Sequence, residues 1–109
     1  MLSLGNVIEL SQENYKKETS TKGLVVVDFW APRCGPCRTL SPTLDELAGE
    51  MKSVKFAKIN VDDNMDISRE FGVSAIPTVL IYKDGKVTDR FVGAYPKEQI
   101  KKKIEGVEK

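Results

Sequence analysis

The chain has 109 residues, 40% of them hydrophobic, with 17 basic and 16 acidic side chains, no histidine, and a net charge of +1. A balance so close to neutral sets up no global field toward nucleic acid or an anionic membrane, and the length predicts one domain over residues 1–109 with a core of its own. Without an imidazole there is no base for a Cys-His or Ser-His-Asp hydrolase.

The segment Met1-Leu2-Ser3-Leu4-Gly5-Asn6 shows no basic region leading into a long apolar stretch, and no later run reaches spanning length, so a soluble, cytoplasmic protein without a membrane role is expected. Val7-Ile8-Glu9-Leu10 reads as a short strand, and Ser11 as the N-cap of a polar helix around Gln12 to Thr19 that ends at Lys22-Gly23. Leu24-Val25-Val26-Val27-Asp28-Phe29-Trp30 is a near-continuous β-branched, apolar run, the pattern of a strand covered on both faces at the centre of a sheet.

Beyond the cysteine segment, Leu40, Leu44, Leu47, Ala48 and Met51 repeat at helical spacing, with Pro42 predicting a bend. Val54 to Val61 reads as a strand, and Ile67 with Phe71 as a short helix stopped by Gly72. Asp84-Gly85, between the strand patterns Thr78–Tyr82 and Lys86–Val92, is a hairpin signal, and Pro96 opens a last helix at its first turn, with Ile100, Ile104 and Val107 on one face. The order β-α-β-α-β-α-β-β-α predicts an α/β fold with helices on both faces of a parallel sheet that ends in an antiparallel hairpin.

Between the second strand and its helix stands Trp30-Ala31-Pro32-Arg33-Cys34-Gly35-Pro36-Cys37-Arg38, which contains both cysteines of the chain. Thiols at i and i+3 across a helix start lie near the ~4.4–6.8 Å Cα separation of a disulfide, so the pair can open and close without moving the fold. As a staple, so short a ring contributes only about 2 kcal/mol, and a chain of this size has no need of it. A structural zinc site normally takes four Cys or His ligands, and two Cys with no His supply half of one, so no metal is expected.

At the start of a helix, unpaired N–H groups and the macrodipole favour an anion, which marks Cys34 as the nucleophile, while Cys37, a turn further in and less exposed, is the resolving thiol. Gly35 allows close backbone approach, and Pro36 suits a helix start. Asp28 is either a solvent-facing strand residue or a buried carboxyl whose raised pKa suits proton exchange with Cys37. Trp30 packs under the active-site loop and reports its redox state. Lys101-Lys102-Lys103 is a solvated helix face rather than a nucleic-acid patch, supported by Glu98 four residues before Lys102. Neither GxGxxG nor GxxxxGK occurs, so no nicotinamide or flavin site is expected on this chain, and electrons must come from another protein.

Over nearly its whole length the chain resembles the thioredoxin family. The match includes Trp30, Cys34-Gly35-Pro36-Cys37, Asp28, Lys58, Pro42, Ile76-Pro77-Thr78, Asp84-Gly85 and Gly93. The resemblance implies a thioredoxin fold with a mixed five-stranded sheet and four helices, and a protein-disulfide reductase re-reduced by a thioredoxin reductase of unspecified electron donor. It favours the buried reading of Asp28, with Lys58 as its charge partner. It also implies a cis bond before Pro77 that places a backbone edge opposite Cys34, and an apolar rim of Gly35, Pro36, Val61, Ile76, Val92, Gly93 and Ala94 that receives substrate proteins. A monomer with no bound cofactor is expected.

The departure is Arg33, where most thioredoxins carry tryptophan. A guanidinium ~6 Å from the Cys34 sulfur amounts to roughly 0.7–3 kcal/mol for effective dielectrics between 80 and 20. That would lower the thiol pKa by about half a unit to two units and make the protein more oxidising. Alternatively Arg33 points into water and alters only which partners dock. Two other functions stay open: a disulfide oxidase or isomerase retuned by Arg33, and a binding subunit whose thiols are incidental.

Overall fold

A computed structural model describes residues 7–109; the N-terminal segment Met1–Asn6 lies outside them. Nine elements follow in chain order: β1 Val7–Leu10, α1 Tyr15–Thr19, β2 Leu24–Trp30, α2 Gly35–Glu50, β3 Val54–Asn60, α3 Met65–Glu70, β4 Thr78–Lys83, β5 Lys86–Val92 and α4 Lys97–Glu108. The strands form one five-stranded sheet in the order β1-β3-β2-β4-β5. β1, β3 and β2 run parallel, whereas β4 pairs antiparallel with both β2 and β5.

The uninterrupted apolar run of β2 now has its physical reason: β2 is the middle strand, and its residues from Leu24 to Phe29 are buried. Alternation divides the side chains between two cores. Leu24 and Val26 pack with Leu40, Leu44 and Leu47 of α2 and with Ile100 and Ile104 of α4. Val25, Val27 and Phe29 pack on the opposite face with Tyr15 of α1 and, at its edge, with Ile67 and Phe71 around α3. On that face the Tyr15 and Tyr82 hydroxyls pair at 2.7 Å, which satisfies two polar groups that burial would otherwise penalise.

Three local expectations shift. Helix α1 starts at Tyr15 with Asn14 as its cap residue, because the Ser11 carbonyl accepts the N–H groups of Asn14 and Tyr15 while Asn14 Oδ1 accepts the Ser11 N–H at 2.8 Å. Ser11 is thus the receiving end of a turn rather than the cap. Pro96 sits at the N-cap of α4 with φ −61° and ψ 150°, one position before the first turn, and its carbonyl accepts from Gln99 and Ile100. Val61 lies just past the end of β3, where its N–H reaches back to the Trp30 carbonyl at 2.8 Å.

Helix α2 continues through Pro42, which lies on its exposed side, where water can serve the carbonyl left without an N–H partner. The hairpin turn carries Asp84 at φ 52° and Gly85 at φ 86°, both left-handed, as a tight two-residue turn between twisted strands demands. Asp84 also accepts the Gly23 N–H at 2.8 Å, so the turn holds the entry to β2.

Leu47 is fully buried between α2 and the sheet. Its replacement by alanine is expected to cost ~2–5 kcal/mol in urea denaturation, since α2 cannot settle closer while α4 holds its other side.

Candidate active site

The turn at residues 31–34 ends with the Cys34 N–H bonded to the Ala31 carbonyl at 3.1 Å, and α2 begins at once. Cys34 is its N-cap in extended backbone conformation, Pro36 occupies the first turn, and Cys34 Sγ accepts the Cys37 N–H at 3.2 Å. The first sulfur therefore sits where a helix offers unpaired N–H groups and its positive end. The two cysteines are joined as a disulfide with a Cα separation of 5.3 Å, Cys34 being 8% and Cys37 2% exposed. Thiol one is at the surface edge and thiol two is behind it.

Pro77 follows Ile76 through a cis peptide bond, and the Ile76 carbonyl oxygen lies 3.7 Å from Cys34 Sγ. The Thr78 hydroxyl donates to the Ala75 carbonyl at 2.5 Å, and the Gly93 N–H donates to the Pro77 carbonyl at 2.9 Å. These bonds fix the 75–78 turn against the 92–94 loop. Around Cys34, Gly35, Pro36, Val92 and Ala94 are exposed, and Trp30, Val61, Ile76 and Gly93 are half-buried. Val92, 49% exposed, thus belongs to the surface, whereas Val61 also packs beside Trp30, Cys34 and Cys37.

Asp28 points from the central strand toward α2 and is 2% exposed. Its Oδ1 has no hydrogen-bond partner among the described residues. Burial is the main cause that pushes its pKa up to about 7, with the Lys58 ammonium pulling it down and the Glu9 carboxylate adding to the rise. Asp28, Trp30, Cys37, Arg38, Ser41 and Lys58 line a partly open cavity of about 280 Å³, which puts Asp28 and the inner cysteine on the walls of one space. Lys58 contributes charge rather than a hydrogen bond to Asp28: its Nζ lies 3.9 Å from Glu9 Oε1 and 5.0 Å from the Trp30 ring centroid.

Arg33 turns to the opposite side of the loop, where its Nη2 lies 3.1 Å from Asp62 Oδ1 and its side chain is 69% exposed. A guanidinium paired to a carboxylate in water carries little net field to the sulfur. With Val61, Asp62, Met65 and Arg69 it lines a separate shallow hollow.

Sequence reasoning missed Glu9, Ser41 and Met65. Ser41 follows Cys37 by four residues on α2, a helical spacing that carries a signal; Glu9 required the strand order, and Met65, 58% exposed, required the fold. No group of three or more His, Cys, Asp or Glu residues suited to a metal ion occurs among the described residues.

The thioredoxin family model matches residues 6–106. The chain belongs to the thioredoxin family. It is 45% identical over 97 residues to the thioredoxin of Pyropia yezoensis, covering 87% of this chain and 91% of that one. It is 41% identical over 99 residues to the thioredoxin of Bacillus subtilis, covering 90% and 94%. Among solved structures, a point mutant of thioredoxin from Halobacterium salinarum superposes with a TM-score of 0.89 at 30% identity, covering 100% of this chain and 96% of that one. A thioredoxin from Malassezia sympodialis gives a TM-score of 0.86 at 31% identity, covering 97% and 94%. With the disulfide-forming pair, family membership makes the chain a thiol-disulfide oxidoreductase of the protein-disulfide reductase type.

The buried carboxyl has a thermodynamic signature. Folded Asp28 holds its proton up to about pH 7, against 3.8 for its ordinary value, so the protonated form is favoured by folding. Its contribution is fully present below about pH 4 and is lost as pH rises toward 7, a change on the order of 4 kcal/mol. Asp28→Asn should therefore gain stability over the parent as pH is raised from about 5 to about 8 in urea titrations. A difference constant across that range would contradict a buried, proton-binding Asp28.

Proposed function

We propose that Cys34 attacks the disulfides of substrate proteins and that Cys37 resolves the intermediate, with Asp28 taking the proton that Cys37 must lose. The observation that carries this reading is the Cys37 N–H pointing at Cys34 Sγ at the N-cap of α2, with buried Asp28 lining the same cavity as Cys37.

The Cys34 thiolate forms a bond to one sulfur of the substrate disulfide, and the other sulfur leaves as a thiolate. Cys37 then gives up its proton, bonds to Cys34 Sγ and expels the second substrate sulfur, so two electrons pass from the dithiol to the substrate. A carboxyl with a pKa of about 7 is divided between both protonation states near neutral pH, which suits it to accept that proton and release it later. The cavity is large enough to admit a bridging water.

The substrate chain is read as lying along the 75–77 backbone, with the apolar rim of Gly35, Pro36, Val61, Ile76, Val92, Gly93 and Ala94 holding its side chains and Trp30 lining the base. Pro77 keeps this edge free of a strand partner. The resulting disulfide is returned to the dithiol by a partner reductase that docks on the same rim, and no cofactor is held by this chain. One copy carries every group the reaction needs, which supports a monomer. No helix among the described residues is long and apolar enough to cross a membrane. A reductant of this kind fits a reducing compartment such as the cytoplasm.

Two trapping variants test the division of labour. Cys37→Ser should accumulate a mixed disulfide between Cys34 and a protein substrate, and Cys34→Ser should accumulate none. Adducts on Cys37 instead would overturn the assignment.

Arg33 acts on partner choice in this reading, because Asp62 compensates its charge. Arg33→Trp is expected to leave the reduction potential within about 30 mV of the parent, a factor of about ten in the exchange constant. A larger displacement toward the dithiol form in the parent would favour the oxidase or isomerase alternative.

A further inference from the structure

Glu9, Lys58 and Asp28 stand abreast on three adjacent strands. The β1–β3 register sets Glu9 opposite Lys58, and the β2–β3 register sets Asp28 opposite the same lysine. All three face α2: they continue the alternations that begin at Val7, Phe56 and Val26, each of which packs in the core beneath that helix. Strand spacing of about 4.8 Å puts the two carboxylate-bearing residues roughly 10 Å apart in the backbone, with the ammonium between them.

The row runs from water to interior, with the Glu9 side chain 54% exposed, that of Lys58 33% exposed, and Asp28 2% exposed. Lys58 lies 3.9 Å from Glu9 Oε1 and over the Trp30 ring, and it gives no hydrogen bond to Asp28, whose Oδ1 goes without one. The other groups about Asp28 offer little competing charge. Val79 of β4 is apolar, Cys37 and Ser41 of α2 are neutral, and Arg38 on the cavity wall keeps its charge but is exposed to water, its guanidinium turned to the Pro32 carbonyl at 3.0 Å.

We propose that Glu9 is a positioning residue that sets the proton affinity of Asp28. By drawing the Lys58 ammonium outward toward β1, it leaves the buried carboxyl less compensated, and its own negative charge acts in the same direction. Asp28 therefore keeps its proton to a higher pH than burial beside a free lysine would allow. The directions agree: Lys58 lowers the Asp28 pKa and Glu9 raises it. The ion pair itself contributes little stability at such exposure, so the role of Glu9 lies in where it holds the lysine. The consequence for turnover rests on the reading of Asp28 as the proton acceptor of the resolving step, whereas the effect on affinity does not.

The test is the titration midpoint of Asp28, followed by carboxyl carbon NMR in the disulfide form, where neither thiol titrates. Glu9→Gln should lower the midpoint by about half a pH unit, and Glu9→Asp should restore part of it. Lys58→Met should raise it, and in that background the Glu9→Gln shift should shrink. An unchanged midpoint in Glu9→Gln, or an undiminished shift without Lys58, overturns the proposal. The pH profile of the resolving rate in the same variants separates the two claims. A profile that ignores a moved midpoint leaves Glu9 as the tuner of Asp28 and removes Asp28 from the reaction.

Discussion

A carboxyl group buried in the central strand, its Oδ1 without a hydrogen-bond partner among the described residues, is the constraint on which the rest of the site depends. A soluble domain gains nothing in stability from such a group at neutral pH, since the ionised form is desolvated and the protonated form costs its proton. Asp28 lines the same cavity as Cys37, the inner cysteine of the disulfide. The two-sided core around β2 supplies the low-polarity surroundings, and Lys58, with Glu9 on the next strand out, grades them toward water.

The second element is the abrupt change from strand to helix. Because β2 ends at Trp30 and α2 starts at Gly35, the intervening turn must place Cys34 at the N-cap, where its sulfur accepts the Cys37 N–H. Chemical difference between two identical side chains then follows from position alone. The outer sulfur sees the positive end of a helix and the Ile76 carbonyl. The inner one sees a carboxyl and apolar walls. The Gly93 bond to Pro77 joins the cis-proline turn to the segment after β5, so the surface around Cys34 is fixed by strand ends rather than by a long loop.

Much of this arrangement was legible in the chain. The run from Leu24 to Trp30 carries its own evidence of central burial, and the i, i+3 cysteines before a helical stripe carry theirs. Asp28 was ambiguous by alternation, which permits a solvent-facing polar residue in a strand as readily as a buried one. The family resemblance favoured the interior, and burial against α2 decides it. Lys58 was reachable only through the family resemblance and Glu9 not at all, because their alignment is a property of the parallel order β1-β3-β2, which brings together residues 9, 58 and 28 from distant parts of the chain. Arg33 was visible as an oddity, but its effect turned on Asp62, 29 positions away. Ser11 misled because a good capping residue was outcompeted by Asn14, whose side chain closes the turn in the reverse sense.

The central claim is that position alone makes Cys34 the reactive thiol and Cys37 the reluctant one. Separate titration of the two sulfurs in the reduced protein, by NMR of the labelled cysteines, tests it most directly. The expected result is a Cys34 midpoint below the ordinary value of about 8.5 and a Cys37 midpoint above it. Two midpoints that coincide near that value, or the reverse order, would contradict it.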